Sequence, residues 1–327
     1  MNTKPAWFLG VLLTIVLAVP AWLLGGLVPI IGAPVFSILI GMLLSFVKRP
    51  YYLEEGIRVS SKKILQYSII FLGFSLDLGL VARVGAQSLA VMLFTLAAAF
   101  LTAYFVGKSL ALDSNTKILI GVGTSICGGS AIAATAPVIE ADDKEVAFAI
   151  STIFLFNIVA VFLFPALGHL FGMSDDRFGL WAGTAINDTS SVVAAAFSYS
   201  DEAGRYATVV KLTRTLMIVP ITLFLALARR RGSGGKGGKI RFAKIFPWFV
   251  LGFLAASLSR TAGILPDRIC SLLNETGKFG ICAAMAAIGL NTRPKRLVEN
   301  GIRPILLGLA CWAAVALVSL AVQGLGI

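Results

Sequence analysis

Long apolar runs separated by short polar segments limit what this chain can fold into more than any other feature. A helix needs about 20 apolar residues to cross a bilayer core of roughly 30 Å. A water-soluble domain could not bury the apolar surface of 327 residues that are 57% hydrophobic and only 13% charged. The sequence therefore predicts an all-α membrane protein with about eleven transmembrane helices, at 7–25, 30–47, 63–80, 86–106, 118–140, 146–171, 178–200, 205–228, 244–260, 273–291 and 303–325.

Four of these runs are interrupted near the middle by Gly, Ser, Thr, Asn or a charged residue. They are 63–80, 118–140, 178–200 and 273–291. Irregular backbone at membrane depth is tolerated only where it is buried in protein or lines a cavity. Such runs could be re-entrant hairpins instead of spans, and for 118–140 and 178–200 the sequence leaves both alternatives open.

The distribution of basic residues predicts the orientation of the chain. Lys and Arg stay mainly on the cytoplasmic side of membrane proteins. With the N-terminus inside, 20 of the 28 basic residues fall in cytoplasmic segments, 5 fall outside and 3 lie within spans. This predicts a cytoplasmic N-terminus and an external C-terminus. It also explains the net charge of +12 without a nucleic-acid partner, which would need a water-exposed basic face.

The spans suggest a duplication within a single polytopic domain. If 1–29 is an extra N-terminal helix, 30–172 and 177–327 are two groups of five spans that enter the membrane in opposite senses. This arrangement is typical of an inverted repeat. The segment 229–244 is basic and rich in Gly and Ser, which predicts a flexible cytoplasmic linker.

A second internal match does not fit this grouping. Residues 123–136 align without gaps on 183–196, at an offset of 60 residues, with Gly, Thr, Ile, Ser and two Ala in common. In the five-plus-five arrangement, however, 118–140 would correspond to 273–291 and not to 178–200.

The run 118–140 is predicted to be a broken helix because Gly128 and Gly129 are adjacent near its middle. Each glycine weakens a helix by about 1 kcal/mol relative to Ala. A half-helix that begins near Gly129 would direct its positive dipole end into a cavity, which suits an anion. The alternative is that these small residues form a close-packing surface between helices.

Charged residues inside the membrane are costly and usually mark a substrate path. Asp188 lies in the most polar cluster of any run, and Lys211 and Arg214 follow in the next run. Two bases facing one acid suggest that an anion supplies the missing charge, whereas the alternative is a structural Asp188–Arg214 pair. The candidate substrate-binding residues are Thr124, Ser125, Cys127, Gly128, Gly129, Ser130, Asn187, Thr189, Ser190, Lys211 and Arg214, with Asp188 as the coupling-ion or proton group.

Enzyme chemistry, cofactors and metal sites are not expected. The chain has one histidine, His169, and no complete nucleotide-binding or hydrolase motif. Its cysteines stand singly, without the C-x-x-C spacing of a metal or redox site. They are Cys127, Cys270, Cys282 and Cys311.

Several motifs together resemble a known family. They are Gly123-Thr-Ser-Ile-Cys-Gly-Gly-Ser130, Thr135-Ala-Pro137, Lys211-Leu-Thr-Arg214 with Met217 and Pro220, and Ala286-Ala-Ile-Gly-Leu-Asn-Thr292. In these motifs, and in length and hydropathy, the chain resembles the YeiH-type sulfate exporter family of bacterial inner-membrane proteins. The resemblance implies a secondary carrier in that membrane, distantly similar to carriers built on broken, crossing helices. The family's acid corresponds to Asp188, whereas Asn187 and Ser191 stand where many members have His and Gln.

These observations lead to one expected function and two alternatives. The expected function is a secondary active transporter that exports a small anion, sulfate or a sulfonate-like oxyanion, by alternating access. Its expected partners are that anion and the lipid bilayer, and homo-oligomerisation stays open. The alternatives are a sodium-coupled carrier of an organic substrate, and a passive channel or non-transporting membrane scaffold.

Overall fold

The computed structural model describes residues 7–28, 31–232, 247–292 and 301–325, with side chains left out at 226–232. Most of the predicted linker 229–244 lies outside the described residues. Within them the chain forms helices and turns and no strand. Five helical stretches are long and apolar enough to cross a membrane, which confirms the predicted all-α membrane protein; they are Trp7–Leu27, Leu78–Ser109, Asp143–Leu170, Asp201–Leu225 and Ile302–Gly324.

The α-helices are numbered here in chain order. They are α1 (Trp7–Leu27), α2 (Ala33–Leu44), α3 (Glu54–Val59), α4 (Leu65–Leu72), α5 (Leu78–Ser109), α6 (Ser114–Ser125), α7 (Gly129–Thr135), α8 (Asp143–Leu170), α9 (Asp175–Ala185), α10 (Thr189–Tyr199), α11 (Asp201–Leu216), α12 (Ile218–Gly232), α13 (Trp248–Thr261), α14 (Asp267–Asn291) and α15 (Ile302–Gly324). A π-helical turn, Ser60–Ile64, joins α3 to α4.

The helices pack into two groups. Bundle A consists of α1–α4, α13 and α14, and bundle B consists of α5–α12 and α15. Small residues allow the backbones of bundle A to approach closely, as is common between helices in membranes. A Cβ at Gly10 would lie 2.2 Å from the carbonyl oxygen of Leu53, and one at Gly41 would lie 2.3 Å from that of Ala286.

The chain runs back and forth between two ends of the molecule. We call the end at which α1 begins the N-side and the end at which α15 ends the C-side. At the N-side, Arg49 donates to the carbonyl oxygen of Leu290 at 2.9 Å. At the C-side, the amide of Leu78 donates to Thr261 Oγ1 at 2.8 Å.

Residues 114–141, here called hairpin 1, enter from the N-side and return to it. Helices α6 and α7 are its two arms. At its mouth, Asn115 Nδ2 donates to Glu145 Oε2 at 3.0 Å, so both ends of the hairpin lie at the same side. Burial of Asp113, which caps α6, raises its pKa, but hydrogen bonds, among them one from the Thr116 amide, outweigh burial and hold the pKa below its ordinary value.

Residues 175–200, here called hairpin 2, enter from the C-side and return to it, with α9 and α10 as their arms. Ser200 Oγ donates to Asp175 Oδ1 at 2.7 Å, which joins the two ends of the hairpin. Tyr199 Oη also donates to the carbonyl oxygen of Met173.

The two hairpins correct the predicted topology. The runs 118–140 and 178–200 re-enter and do not span, because their polar ends bond to each other instead of reaching opposite sides. Lys144 therefore lies at the N-side with the predicted cytoplasmic segments, and Arg177 lies at the C-side. The run 273–291 lies in the continuous helix α14. The run 63–80 covers the last of the helical turns between Tyr51 and Ser75 and the first residues of α5, which begins at Leu78.

The helix breaks follow the 60-residue offset found in the sequence. Helix α6 ends at Ser125 and α9 ends at Ala185, while α7 begins at Gly129 and α10 begins at Thr189. The structural counterpart of hairpin 1 is thus hairpin 2 in the opposite orientation, and not α14 as the five-plus-five grouping requires. The division into 30–172 and 177–327 stays a prediction.

Candidate functional site

The tips of the two hairpins meet inside bundle B. A Cβ at Gly128 in hairpin 1 would lie 3.3 Å from the Cβ of Asp188 in hairpin 2. Gly128 has φ 68° and ψ −131°, a conformation that glycine adopts readily and other residues adopt only with strain. The backbone at this tip therefore depends on glycine, as its position in the break suggests.

Lys211 and Arg214 of α11 bind carbonyl oxygens at both tips. Lys211 Nζ donates to Ile126 O and to Ile186 O, each at 2.9 Å. Arg214 Nε donates to Ser125 O at 2.6 Å, and its terminal nitrogens donate to Thr124 O and Thr184 O. Both side chains are 0% exposed.

These contacts give the two cations a structural task. The last carbonyl groups of a helix lack intrahelical partners and carry the negative end of the helix dipole. Helices α6 and α9 both end at the tips, in the interior of the protein, where unpaired carbonyl groups would be costly. Lys211 and Arg214 supply donors and opposite charge to both helix ends at once.

Asp188 has different partners from those the sequence suggested. Its carboxylate accepts from the amide of Ser190 at 3.0 Å and from the hydroxyl of the same residue, and so caps α10. Its own amide donates to Asn157 Oδ1 at 3.1 Å. Among the ion pairs of the described residues, none joins Asp188 to Lys211 or Arg214, so the structural pair considered above is absent here.

Buried polar atoms without partners surround the tips. Asn187 is 0% exposed, and neither its Oδ1 nor its Nδ2 has a hydrogen-bond partner. Thr124 Oγ1 and Asn157 Nδ2 are likewise unpaired. Polar groups of this kind cost free energy unless something satisfies them. The meeting point of the hairpins therefore has spare hydrogen-bonding capacity.

A cavity of about 890 Å³ lies between the bundles and extends from the N-side to the tips. Bundle B contributes residues of both hairpins and of α8, and bundle A contributes basic, polar and apolar residues. The residues of both bundles that line this cavity are Arg49, Glu54, Arg58, Ser61, Lys62, Leu65, Gln66, Ile69, Gly129, Ser130, Ala133, Ile150, Phe154, Ile158, Asp188, Thr189, Ser190, Phe249, Ile288, Asn291 and Thr292.

The predicted site residues divide into two sets. One set lines the cavity: Gly129, Ser130, Asp188, Thr189 and Ser190. The other lies at the contact between the hairpins or behind it: Thr124, Ser125, Cys127, Gly128, Asn187, Lys211 and Arg214. The structure brings all of them into one region, but only the first set faces the cavity.

Sequence reasoning missed the wall that bundle A provides. Arg58 and Lys62 are among the 20 basic residues that the orientation prediction assigns to cytoplasmic segments, and Gln66 lies within the predicted span 63–80. Gln66 was the available signal, because an uncharged polar side chain in the middle of a span often faces a cavity or another helix.

A second cavity, of about 410 Å³, lies between the bundles at the C-side. Lys278 lies in its wall and forms ion pairs with Asp201 at 2.6 Å and with Glu275 at 3.0 Å. The pair with Asp201 joins α14 of bundle A to α11 of bundle B. Gly32 and Ser198 also meet across this interface, where a Cβ at Gly32 would lie 2.6 Å from the Cα of Ser198.

Among the described residues, no group of three or more His, Cys, Asp or Glu side chains could hold a metal ion. The four cysteines are free and buried. Cys127 packs among hydrophobic residues at the hairpin tip, which include Val122, Ala131 and Ile218.

Comparison with known proteins gives a family and several near relatives. The family described as "Conserved hypothetical protein 698" matches residues 9–308. A UPF0324 membrane protein of Streptococcus pyogenes serotype M3 is 52% identical, over 99% of this chain and 98% of the relative. A UPF0324 membrane protein of Fusobacterium nucleatum is 44% identical, with the same two coverages.

A UPF0324 membrane protein of Clostridium tetani is 44% identical over 96% of each chain. These names describe bacterial membrane proteins and specify no substrate. No solved structure matches the chain. The matches extend over nearly the full length and agree with the helical, multi-pass architecture, and the chain therefore belongs to the family described as Conserved hypothetical protein 698, the UPF0324 membrane proteins.

Proposed function

We propose that this protein is a secondary active transporter of a small anion, sulfate or a sulfonate-like oxyanion, which it exports by alternating access. One observation carries the proposal: two re-entrant hairpins enter from opposite sides and meet tip to tip beside a cavity between two helical bundles. Irregular backbone at membrane depth is expected where it lines a cavity or binds a ligand.

The residues at the tips have separate roles in this proposal. Lys211 and Arg214 hold the carbonyl ends of α6 and α9, so they keep the tips together and balance charge. Ser130, Thr189 and Ser190 offer hydroxyl groups to an anion in the cavity. Asp188 is the coupling group, because it is an acidic residue at the hairpin tips that lines the cavity.

Orientation gives the proposed direction. The N-side carries most of the basic residues that the positive-inside rule assigns to the cytoplasm. The large cavity reaches the tips from this side, so an anion from the cytoplasm could enter it. On the C-side, the Lys278–Asp201 pair joins the bundles. Export then requires the bundles to part at the C-side and close at the N-side.

Flux of radiolabelled sulfate into proteoliposomes containing the purified full chain tests this function. We expect uptake that a pH gradient accelerates, and we expect Asp188→Asn to abolish the acceleration. Asp176→Asn is the matched control, since this exposed carboxylate lies at the mouth of hairpin 2 and not in the cavity. No flux above protein-free liposomes, for sulfate or for an alkyl sulfonate, would refute a transporter of this class.

The sodium-coupled alternative is tested in the same vesicles. The carbonyl oxygens at the helix breaks, which a sodium ion would use as ligands, already accept hydrogen bonds from Lys211 and Arg214. We therefore expect the same flux with potassium as with sodium. Flux that requires a sodium gradient would favour the alternative.

A further inference from the structure

We infer that bundle A forms the second half of the anion site, with Lys62 as the charge that pairs with the substrate and Gln66 as a polar contact at the depth of the hairpin tips, and that the substrate is an organic anion with an apolar body. The inference rests on the proposed function, which it deepens by assigning a substrate class and residues outside those predicted from the sequence.

The cations near the cavity differ in whether other groups of the protein already bind them. Lys211 and Arg214 are engaged by carbonyl oxygens and do not line it. Arg49 lines it but bonds to Glu54 at 3.1 Å and to the Leu290 carbonyl. Within the described part of the chain, this leaves Arg58 and Lys62 as cavity cations without an ion pair. Lys62 is the one that lies further from the N-side, because this helical segment begins at the N-side and Lys62 follows Arg58.

The local backbone determines which of these side chains face the cavity. Lys62 lies in the π-helical turn Ser60–Ile64, and π-turns occur mostly as local bulges that are frequent at functional sites. Ser61 and Lys62 face the cavity, whereas the neighbouring Lys63 does not line it. The turn therefore divides two adjacent lysines between different environments.

Gln66 lies deep in the cavity, near the hairpin tips. It lies 12 residues after Glu54, the start of α3, which corresponds to a depth of about 18 Å at 1.5 Å per residue. This is close to the middle of a bilayer core of roughly 30 Å. Gln66 lines the same cavity as Ser130 and Ser190 of the hairpin tips. Its amide can donate to an anion from the opposite wall.

The size of the cavity and the chemistry of its walls indicate the class of substrate. Besides these polar groups, the cavity is lined by large apolar side chains from both bundles: Leu65, Ile69, Ile150, Phe154, Ile158, Phe249 and Ile288. Sites of roughly 300–1,000 Å³ with mainly apolar walls and a few placed polar groups bind organic molecules with apolar bodies. At about 890 Å³ this cavity suits an organic sulfonate or carboxylate better than a bare inorganic ion.

Cysteine protection in the purified full chain tests the inference independently of transport. The four native cysteines are buried, so Gln66→Cys adds one accessible thiol. We expect benzenesulfonate to slow the reaction of this thiol with a neutral maleimide, at a concentration about tenfold or more below the sulfate concentration that gives the same protection. Lys62→Gln in the same background should raise the protecting concentration of benzenesulfonate about tenfold, the effect of losing a charged hydrogen bond.

Lys63→Gln is the matched control, because it removes the same charge one residue away and outside the cavity; we expect less than a twofold effect. Equal effects of the two substitutions would overturn the assignment of Lys62 as the pairing charge, and no protection by either anion would overturn the placement of position 66 in the site. Protection by sulfate at the lower concentration would overturn the substrate class. Protection without flux in proteoliposomes would retain this binding site and refute the proposed transport. Flux without protection would retain the proposed transport and refute this binding site.

Discussion

At the scale of single residues, the chain buries an arginine and a lysine against backbone carbonyl groups and not against a carboxylate. Arg214 and Lys211 together reach both hairpins, so one turn of α11 joins segments that enter from opposite sides. Each contact is charge-assisted, and such hydrogen bonds are stronger than neutral ones. The two side chains thus act as a cross-link between the hairpins.

We expect Arg214→Leu to destabilise the protein strongly. The substitution leaves carbonyl groups of α6 and α9 buried without donors, and each buried polar group left unsatisfied costs about 1–3 kcal/mol. Thermal unfolding in detergent should show a large fall in Tm. Arg205→Leu, on the same helix, is the control, because this half-exposed side chain pairs with Glu202 at 3.7 Å and such surface pairs contribute about 0–1 kcal/mol. Similar Tm values for the two variants would contradict the cross-linking role.

At the scale of elements, the topology depends on whether 118–140 and 178–200 cross the membrane. In the structure each is a hairpin of two short helical arms. The ends of the segment between hairpin 1 and hairpin 2 therefore lie on the opposite sides from those expected if both runs crossed the membrane. Lys144 joins the side of Lys108, and Arg177 joins the side of Glu202.

Thiol labelling of whole cells and of inverted vesicles can distinguish the two topologies. Lys108→Cys and Lys144→Cys, both exposed, should react with a membrane-impermeant reagent from the same side, and Arg177→Cys and Glu202→Cys should react from the opposite side. The hairpins predict this pattern because each returns to the side it entered from. Labelling of Lys108→Cys and Lys144→Cys from opposite sides would show that hairpin 1 crosses.

The sequence predicted the helical membrane class, both helix breaks and the polar residues at the tips. It could not decide between hairpins and spans from charge, because Lys144 and Arg177 exchange sides and leave the distribution of 20 to 5 unchanged. The sequence feature that indicates the two hairpins is the 60-residue offset, because it aligns the two helix breaks with each other. The wall formed by bundle A could not be predicted, since pairing Lys62 and Gln66 with the tips depends on packing between distant helices.

At the scale of the whole molecule, the two cavities lie at opposite ends of the interface between the bundles. The large one reaches the tips from the N-side, and the smaller one is bounded by the Lys278–Asp201 pair at the C-side. A movement of one bundle against the other would exchange their accessibility, which is the geometry that alternating access requires. The C-side contacts would then be those that break.

Asp201→Lys should favour opening at the C-side, because it places a like charge beside Lys278. The native Cys282 lines the C-side cavity and is 0% exposed, so it can report opening when it is the sole cysteine. We expect its labelling from the C-side to accelerate severalfold. Glu202→Lys is the control, as it makes the same charge change in the first turn of α11 but contacts Arg205 instead. Equal labelling rates in both variants would argue against a gate at this pair.

The position of Arg214 in the chain also bears on how the protein is made. Its partners Ser125 and Thr184 precede it by 89 and 30 residues, so hairpin 1 is synthesised long before its donors exist. The tip of hairpin 1 should stay accessible to reagents until α11 has been inserted. Cys127, 2% exposed in the finished fold, should then react with a thiol reagent in ribosome-bound chains arrested before α11 and be protected in longer ones. Early protection would mean that hairpin 1 reaches its final packing without α11, whereas late protection would make the insertion of α11 the step that fixes both hairpins in the membrane.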